Sequence, residues 1–286
     1  MEYSHSGSLR KDKRAVAPAV STVILTAAVV VMILVAMTYA NTFLDSRMAE
    51  NEFSTNKQFM YTTGLQIDDI AWTIGRTQTV RYSSQYGNMK FQSSALTYSF
   101  EVSEDGSDWE TLVDVESLTG MILFNVPVST YSISNNYFER IMPSSDGSFL
   151  QQGPSAPVSH VFCVEKLPMD EGNYTRIVGV PSIRMLNSTI DGAEGTTNYY
   201  KFYLPALIQG NHLYRSQSIT MTGHDIVKVV RSGVSQVRIS VTYGKASLGF
   251  DSDFFKFDHD IETVILPEGS VVEFYVGKVI VTLGQV

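Results

Sequence analysis

The chain has 286 residues, of which 44% are hydrophobic and 17% charged, a composition that supports a packed core and excludes a disordered chain. Its 29 acidic residues outnumber its 21 basic ones, giving a formal net charge of −8. A chain without general positive charge is a poor ligand for nucleic acid, so we expect no nucleic-acid partner. A single cysteine, Cys163, excludes an intrachain disulfide and a multi-cysteine zinc site.

The N-terminal region combines a basic segment with a long apolar one. Residues 1–14 contain four Lys or Arg and two Asp or Glu, whereas residues 15–44 contain no Asp, Glu, Lys, Arg or His. About twenty apolar residues in a helix are enough to cross the hydrocarbon layer of a bilayer. Basic residues flanking a span stay on the cytoplasmic side. The sequence therefore predicts a single-pass protein in contact with membrane lipid, its N-terminus cytoplasmic and its C-terminal domain extracellular.

The helical pattern continues after the apolar segment. Residues 41–74 contain no proline, and Phe53, Met60, Ile67 and Ile74 recur every seven residues along one side of a helix. We predict one membrane and stalk helix over residues 16–75. An apolar stripe above the membrane must be covered, either by helices of neighbouring subunits or by the protein's own globular domain. The spacing favours neither arrangement.

The residues at the head of this helix resemble a processing signal. Lys13-Arg14-Ala15-Val16, followed by Ala-Pro-Ala-Val and the apolar run, is similar to the class III signal peptide of archaeal type IV pilin-like proteins. The resemblance implies that a prepilin peptidase removes residues 1–15 as a basic cytoplasmic leader and leaves Val16 as the new N-terminus. Cleavage after Arg14 is the alternative.

The resemblance also implies a function. Pilin-like proteins are major or minor structural subunits of surface filaments, are assembled by a dedicated pilus machinery, and have no enzymatic activity or cofactor. Their apolar helices pack in the membrane and then in the filament core against copies of the same chain or other pilin-like subunits. On this chain the implied self-assembly residues are Val20, Ile24, Val31, Val35, Phe53, Met60, Ile67 and Ile74.

Beyond Gly75 the sequence is typical of β-strands. Short runs rich in Val, Ile, Tyr, Phe and Thr alternate with turn signals such as Asp-Gly and Gly-Asn. We predict an α+β protein whose helix is followed by a mainly antiparallel, β-sandwich-like ectodomain. A linker at residues 144–157 separates β-rich parts at 76–143 and 158–286, which form either two domains or one. Residues 225–231 are the only other notable helical prediction.

Two features of the predicted ectodomain suggest modification or ligand binding. Asn173 and Asn187 each begin an Asn-X-Thr sequon for N-glycosylation. An acidic segment offers hard oxygen ligands for Ca²⁺, although a solvated acidic loop is the simpler interpretation. Its alternating carboxylates are Asp251, Asp253, Asp258 and Asp260.

Catalytic motifs are missing from the sequence. The five histidines are scattered, without a His-Glu-X-X-His pattern, so we predict neither an enzyme nor a cofactor. Three functions are compatible with this reading. The first is a filament subunit, the second a membrane-anchored extracellular binding or adhesion protein that does not polymerise, and the third, which the missing motifs disfavour, is an ectoenzyme.

Overall fold

The computed structural model describes residues 13–192, 195–213 and 216–284, with only the backbone described for residues 13–19. Contacts divide the chain into two compact units, Met1–Arg47 and Met48–Val286. The predicted linker at residues 144–157 lies inside the second unit. The β-rich parts on either side of it therefore belong to the same compact unit.

One long helix, α1, spans Lys13–Ala71. Four residues beyond its end, Gly75 adopts a positive φ of 82°, a conformation that glycine reaches without strain. The amide of Gly75 donates to the carbonyl of Gly223 at 2.7 Å, and the amide of Gly223 donates to the carbonyl of Arg76 at 2.9 Å. These two hydrogen bonds tie the end of the helix to the sheet.

The remainder of the described chain is mostly β-structure. A short helix, α2, covers Ser252–Phe255, and 3-10 turns lie at Val113–Val115 and Ala246–Leu248. The strands are β1 Thr77–Arg81, β2 Asn88–Ser103, β3 Glu110–Thr111, β4 Ser117–Pro127, β5 Tyr137–Met142, β6 Leu150–Gln152, β7 Ser159–Glu165, β8 Tyr174–Pro181, β9 Ile183–Gly192, β10 Gly195–His212, β11 Ser218–Tyr243 and β12 Ile261–Gly284.

These strands form one hydrogen-bonded sheet in the order β5-β7-β8-β4-β2-β11-β12-β10-β9-β6, with β1 beside β11 and β3 beside β2. Among the strands that the structure describes, only the β10–β12 and β6–β9 pairs are parallel. The predicted α+β class, with an N-terminal helix and a mainly antiparallel β domain, is confirmed. The sandwich arrangement is not, because the twelve strands belong to a single sheet.

The helix predicted at residues 225–231 is wrong, because this segment lies within β11. Asp225 pairs with Lys278 and Arg231 with Val272 on β12. Val227 and Val229 pack against a hydrophobic core. Four of these seven residues are β-branched, a composition that favours a strand.

Two hydrophobic cores lie on opposite faces of the sheet, as strand alternation requires. On β4, Met121 and Leu123 belong to one core, which we call the sheet core. Ile122 and Phe124 belong to the other, which we call the helix–sheet core because α1 contributes to it. The second half of α1 is therefore an integral part of the β domain.

Candidate functional site

The candidate functional site is the apolar half of α1. The large hydrophobic side chains between Val20 and Leu44 are exposed, from 41% for Val29 to 74% for Tyr39. By length and composition this helix could cross a membrane, and no residue of its most apolar stretch is buried inside the protein. So large an apolar surface needs lipid or protein to cover it.

Three threonine side chains in this half form hydrogen bonds within the helix. The hydroxyls of Thr26, Thr38 and Thr42 each donate to the carbonyl four residues earlier, at 2.7, 2.9 and 2.6 Å. Groups bonded in this way need no partner from water. The threonines that interrupt the apolar run are therefore compatible with lipid or with a packed bundle.

The structure separates the eight predicted self-assembly residues into three groups. Val20, Ile24, Val31 and Val35 are exposed at 50%, 63%, 58% and 65%. The second group, Phe53, Met60 and Ile67, is at most 3% exposed and lies in the helix–sheet core. Its contacts are with the domain's own sheet, one of the two arrangements that the seven-residue spacing allowed. The last residue, Ile74, follows the end of α1 and is 63% exposed.

Close approach of α1 to the sheet depends on small residues. A Cβ atom on Gly64 would lie 2.6 Å from Met142 Cε and 2.9 Å from Ser159 Oγ. The Ser159 hydroxyl donates to the Gly64 carbonyl at 2.9 Å. Gly64 therefore lets the helix contact β7, and its flanking residues continue as one helix.

Two carboxylates on α1, one buried and one half-buried, hold it against the sheet and loops. Glu52, only 7% exposed, accepts backbone hydrogen bonds from Gln85 at 2.9 Å and Gly87 at 2.9 Å. Farther along, Asp68 accepts two hydrogen bonds from Arg184, at 2.7 and 3.0 Å. Neither anchor is evident from the sequence, because an acidic residue beside an apolar stripe is also typical of a solvated helix.

The acidic segment is held by cations and by its own backbone. Asp251 caps α2 by accepting from the Phe254 amide at 3.0 Å, and it pairs with Lys166 at 2.6 Å. Lys166 also lies 3.3 Å from Asp253, and Arg140 lies 3.6 Å from Asp258. Asp260 accepts from the Tyr243 hydroxyl. Among the residues that the structure describes, no three His, Cys, Asp or Glu side chains converge on a possible metal position.

Other predicted positions are less fully placed. Side chains of Lys13, Arg14, Ala15 and Val16 lie outside the described part of the chain, so their cleavage stays a prediction. Both sequon asparagines, Asn173 and Asn187, are exposed.

Cys163 is fully buried in the helix–sheet core, as expected for a small apolar side chain. Burial raises the pKa of its thiol to about 12. The side chain therefore stays protonated and shielded in the folded domain.

No protein-family model, curated protein or solved structure matches this chain. The fold and the site nevertheless define a class: a β-sheet domain built around the second half of a long helix whose first half is exposed, apolar and long enough to cross a membrane.

Proposed function

We propose that this chain is a structural subunit, major or minor, of an archaeal type IV pilus-like surface filament, with no enzymatic role. The observation that carries the proposal is the division of α1. Its first half exposes uncharged apolar side chains from Val20 to Leu44, and its second half, from Met48, belongs to the β domain. The apolar half of such a subunit can move from the lipid bilayer into a bundle of identical helices, because it carries no charged side chain that would have to be buried in either environment.

Side-chain spacing supports a contact between helices. Val20, Ile24, Val31 and Val35 are separated by four, seven and four residues, which puts them on one side of a helix. All four are exposed. In the proposed function this stripe faces lipid before assembly and helices of neighbouring pilin-like subunits afterwards.

The basic N-terminal segment supports the orientation in the membrane. Positive charge next to the span favours a cytoplasmic N-terminus, which puts the β domain outside the cell. A prepilin peptidase then meets the Ala15–Val16 bond on the cytoplasmic side, and the pilus assembly machinery takes up the shortened chain.

A second function, an anchored binding or adhesion protein that does not polymerise, is favoured by one observation. The lower stripe of Phe53, Met60 and Ile67 is covered by the protein's own sheet, so these residues need no second copy. In this alternative the leader stays on the chain and α1 is only an anchor.

The N-terminus of the protein from its native cells distinguishes the two functions. N-terminal sequencing and intact mass should show a chain that begins at Val16, present in sheared surface filaments as well as in the membrane. Replacing Arg14 and Ala15 together, by Glu and Leu, should leave the uncut precursor in the membrane and abolish its incorporation into filaments.

Arg10→Glu is the matched control, because it changes the same charge away from the cleavage site and should leave processing intact. A full-length chain as the only cellular form, absent from filaments, would refute the pilin proposal and favour the anchored protein.

A further inference from the structure

The two sequons differ in the accessibility of their third residue. Asn173 is exposed, but the side chain of Thr175 is completely buried. Its hydroxyl lies 2.9 Å from the Tyr131 carbonyl and 2.8 Å from Glu165 Oε2. Thr175 is also held in mid-sheet, since β8 pairs with β4 on one side and β7 on the other. Freeing this hydroxyl requires the sheet to open.

All three residues of the second sequon are accessible to solvent. Asn187, Ser188 and Thr189 are all exposed on β9. β6 pairs with β9 only as far as Met185, which leaves the sequon on an edge of the described sheet. An edge residue can leave its strand without disturbing a second neighbour.

Local pairing beyond the sequon is weak as well. The ladder between β10 and β12 begins at Tyr199. From Thr189 to Gly192, β9 is therefore paired only with a segment of β10 that has no other partner among the described strands. Two-stranded ribbons are marginally stable in water, so we expect this arm to open locally at low cost, as fraying elements do.

Transfer of an N-linked glycan has structural requirements that the two sequons meet to different degrees. The transferase must hold the hydroxyl of the third residue while the asparagine Nδ2 attacks C1 of the first sugar of a lipid-linked oligosaccharide. The C1–O bond to the lipid phosphate breaks, the lipid phosphate leaves with the bonding electrons, and the amide proton passes to a base of the transferase. Thr189 meets the first requirement in the folded domain, and Thr175 does not.

We propose that Asn187 is the site at which the folded protein accepts an N-linked glycan, and that Asn173 accepts one only before the domain has folded. This inference rests on the proposed orientation, which places the β domain on the side of the membrane where glycans are attached.

The test uses the full chain, folded in detergent, with a single-subunit oligosaccharyltransferase and its lipid-linked oligosaccharide donor. Peptide mass spectrometry follows the occupancy of each sequon with time. We expect Asn187 to be modified at least about 100-fold faster than Asn173, because opening a sheet centre costs several kcal/mol more than fraying an edge. Excised peptides with either sequon should both be modified, which shows that the transferase accepts both sequences.

Variants assign the reaction to the proposed residues. Asn187→Gln and Thr189→Ala should each abolish modification of the folded chain, whereas Thr189→Ser should retain it. Asn173→Gln is the matched control and should change nothing in the folded chain.

Equal rates at the two sites in the folded chain would overturn the inference. So would an unmodified Asn187 when the corresponding peptide is modified. The N-terminal residue is an independent readout: a chain that begins at Val16 but resists modification at Asn187 refutes only the inference, and the reverse combination refutes only the pilin function.

Discussion

At the scale of single residues, the buried histidine of β7 makes the folded domain sensitive to acid. His160 is 4% exposed, its Nε2 atom lies 2.9 Å from the Ser148 carbonyl, and its ring packs edge-on against Phe257. Burial lowers the pKa of this imidazole to about 4, with a smaller contribution in the same direction from Arg140. The hydrogen bond to the Ser148 carbonyl raises this pKa, as do Asp146 and Asp258 more weakly, but these contributions do not compensate for burial.

This depressed pKa predicts a loss of stability on mild acidification. The unfolded chain binds a proton at His160 near pH 6.5, whereas the folded chain does so only near pH 4. The stabilising contribution is therefore complete above pH 6.5 and is lost as the pH falls towards 4, by up to about 3 kcal/mol. His160→Gln keeps an N–H donor but cannot titrate, so the free energy of unfolding of this variant should fall less over the same range.

Chemical denaturation of the full chain in detergent, repeated between pH 7 and pH 4, measures this difference. Other groups titrate in parallel, so the quantity to compare is the difference between wild type and variant. His224→Gln, at an exposed position, is the control and should leave the pH dependence as in wild type. An unchanged dependence in His160→Gln would contradict the prediction.

At the scale of elements, the contact between α1 and β7 depends on the absence of a side chain at residue 64. A leucine there would meet Met142, Ser159 and Val161, which already lie within 3.0 Å of where a Cβ would be. Overpacking of this kind costs about 1–3 kcal/mol. We expect Gly64→Leu to lower the free energy of unfolding by that amount, although leucine is the better helix former.

Cys163 gives this prediction a second readout, because its thiol lies in the same helix–sheet core. If the added leucine lifts α1 from the sheet, a thiol reagent should label Cys163 faster in Gly64→Leu than in wild type under native conditions. Thr62→Leu is the matched control, since Thr62 is exposed on the same helix. Equal stability and labelling in both variants would show that α1 does not need the close approach.

The elements also show how far sequence can predict this fold. The long helix and the strand character of the rest follow from local patterns, such as the seven-residue spacing of Phe53, Met60 and Ile67. Pairing between distant strands cannot be predicted from local patterns. The parallel register that places Tyr203 beside Tyr275, for example, has no signature in the sequence around either residue. For the same reason one sheet could not be distinguished from a sandwich.

The candidate site was only partly visible in the sequence. Its exposed apolar half follows from the absence of charge between residues 15 and 44. The role of the lower stripe, Phe53, Met60 and Ile67, could not be predicted. The same apolar residues would be needed whether the stripe is covered by the protein's own sheet or by a second copy of the chain. The anchors also escaped prediction, since Glu52 and Asp68 are recognisable only with their partners in the folded domain.

At the scale of the whole molecule, the two compact units predict different behaviour for two truncations. Residues 46–286 retain both hydrophobic cores and lack the exposed apolar segment. We expect this chain to fold and to stay monomeric without detergent, whereas the full chain should need detergent because its apolar half has no cover in water.

Removing the rest of the helix should have the opposite effect. A chain of residues 76–286 loses the buried α1 side chains of the helix–sheet core, of which the four larger than alanine are each worth about 1.5–3 kcal/mol. Together they amount to the whole stability of a typical domain, about 5–15 kcal/mol. The lost residues are Phe53, Met60, Ile67, Ile70 and Ala71. This shorter chain should aggregate or remain unfolded, and adding a peptide of residues 46–75 should recover folded protein.

Sedimentation velocity and circular dichroism measure both outcomes. A folded, monomeric 76–286 would refute the assignment of α1 to the core, and a detergent requirement for 46–286 would show that apolar surface outside residues 1–45 also needs covering.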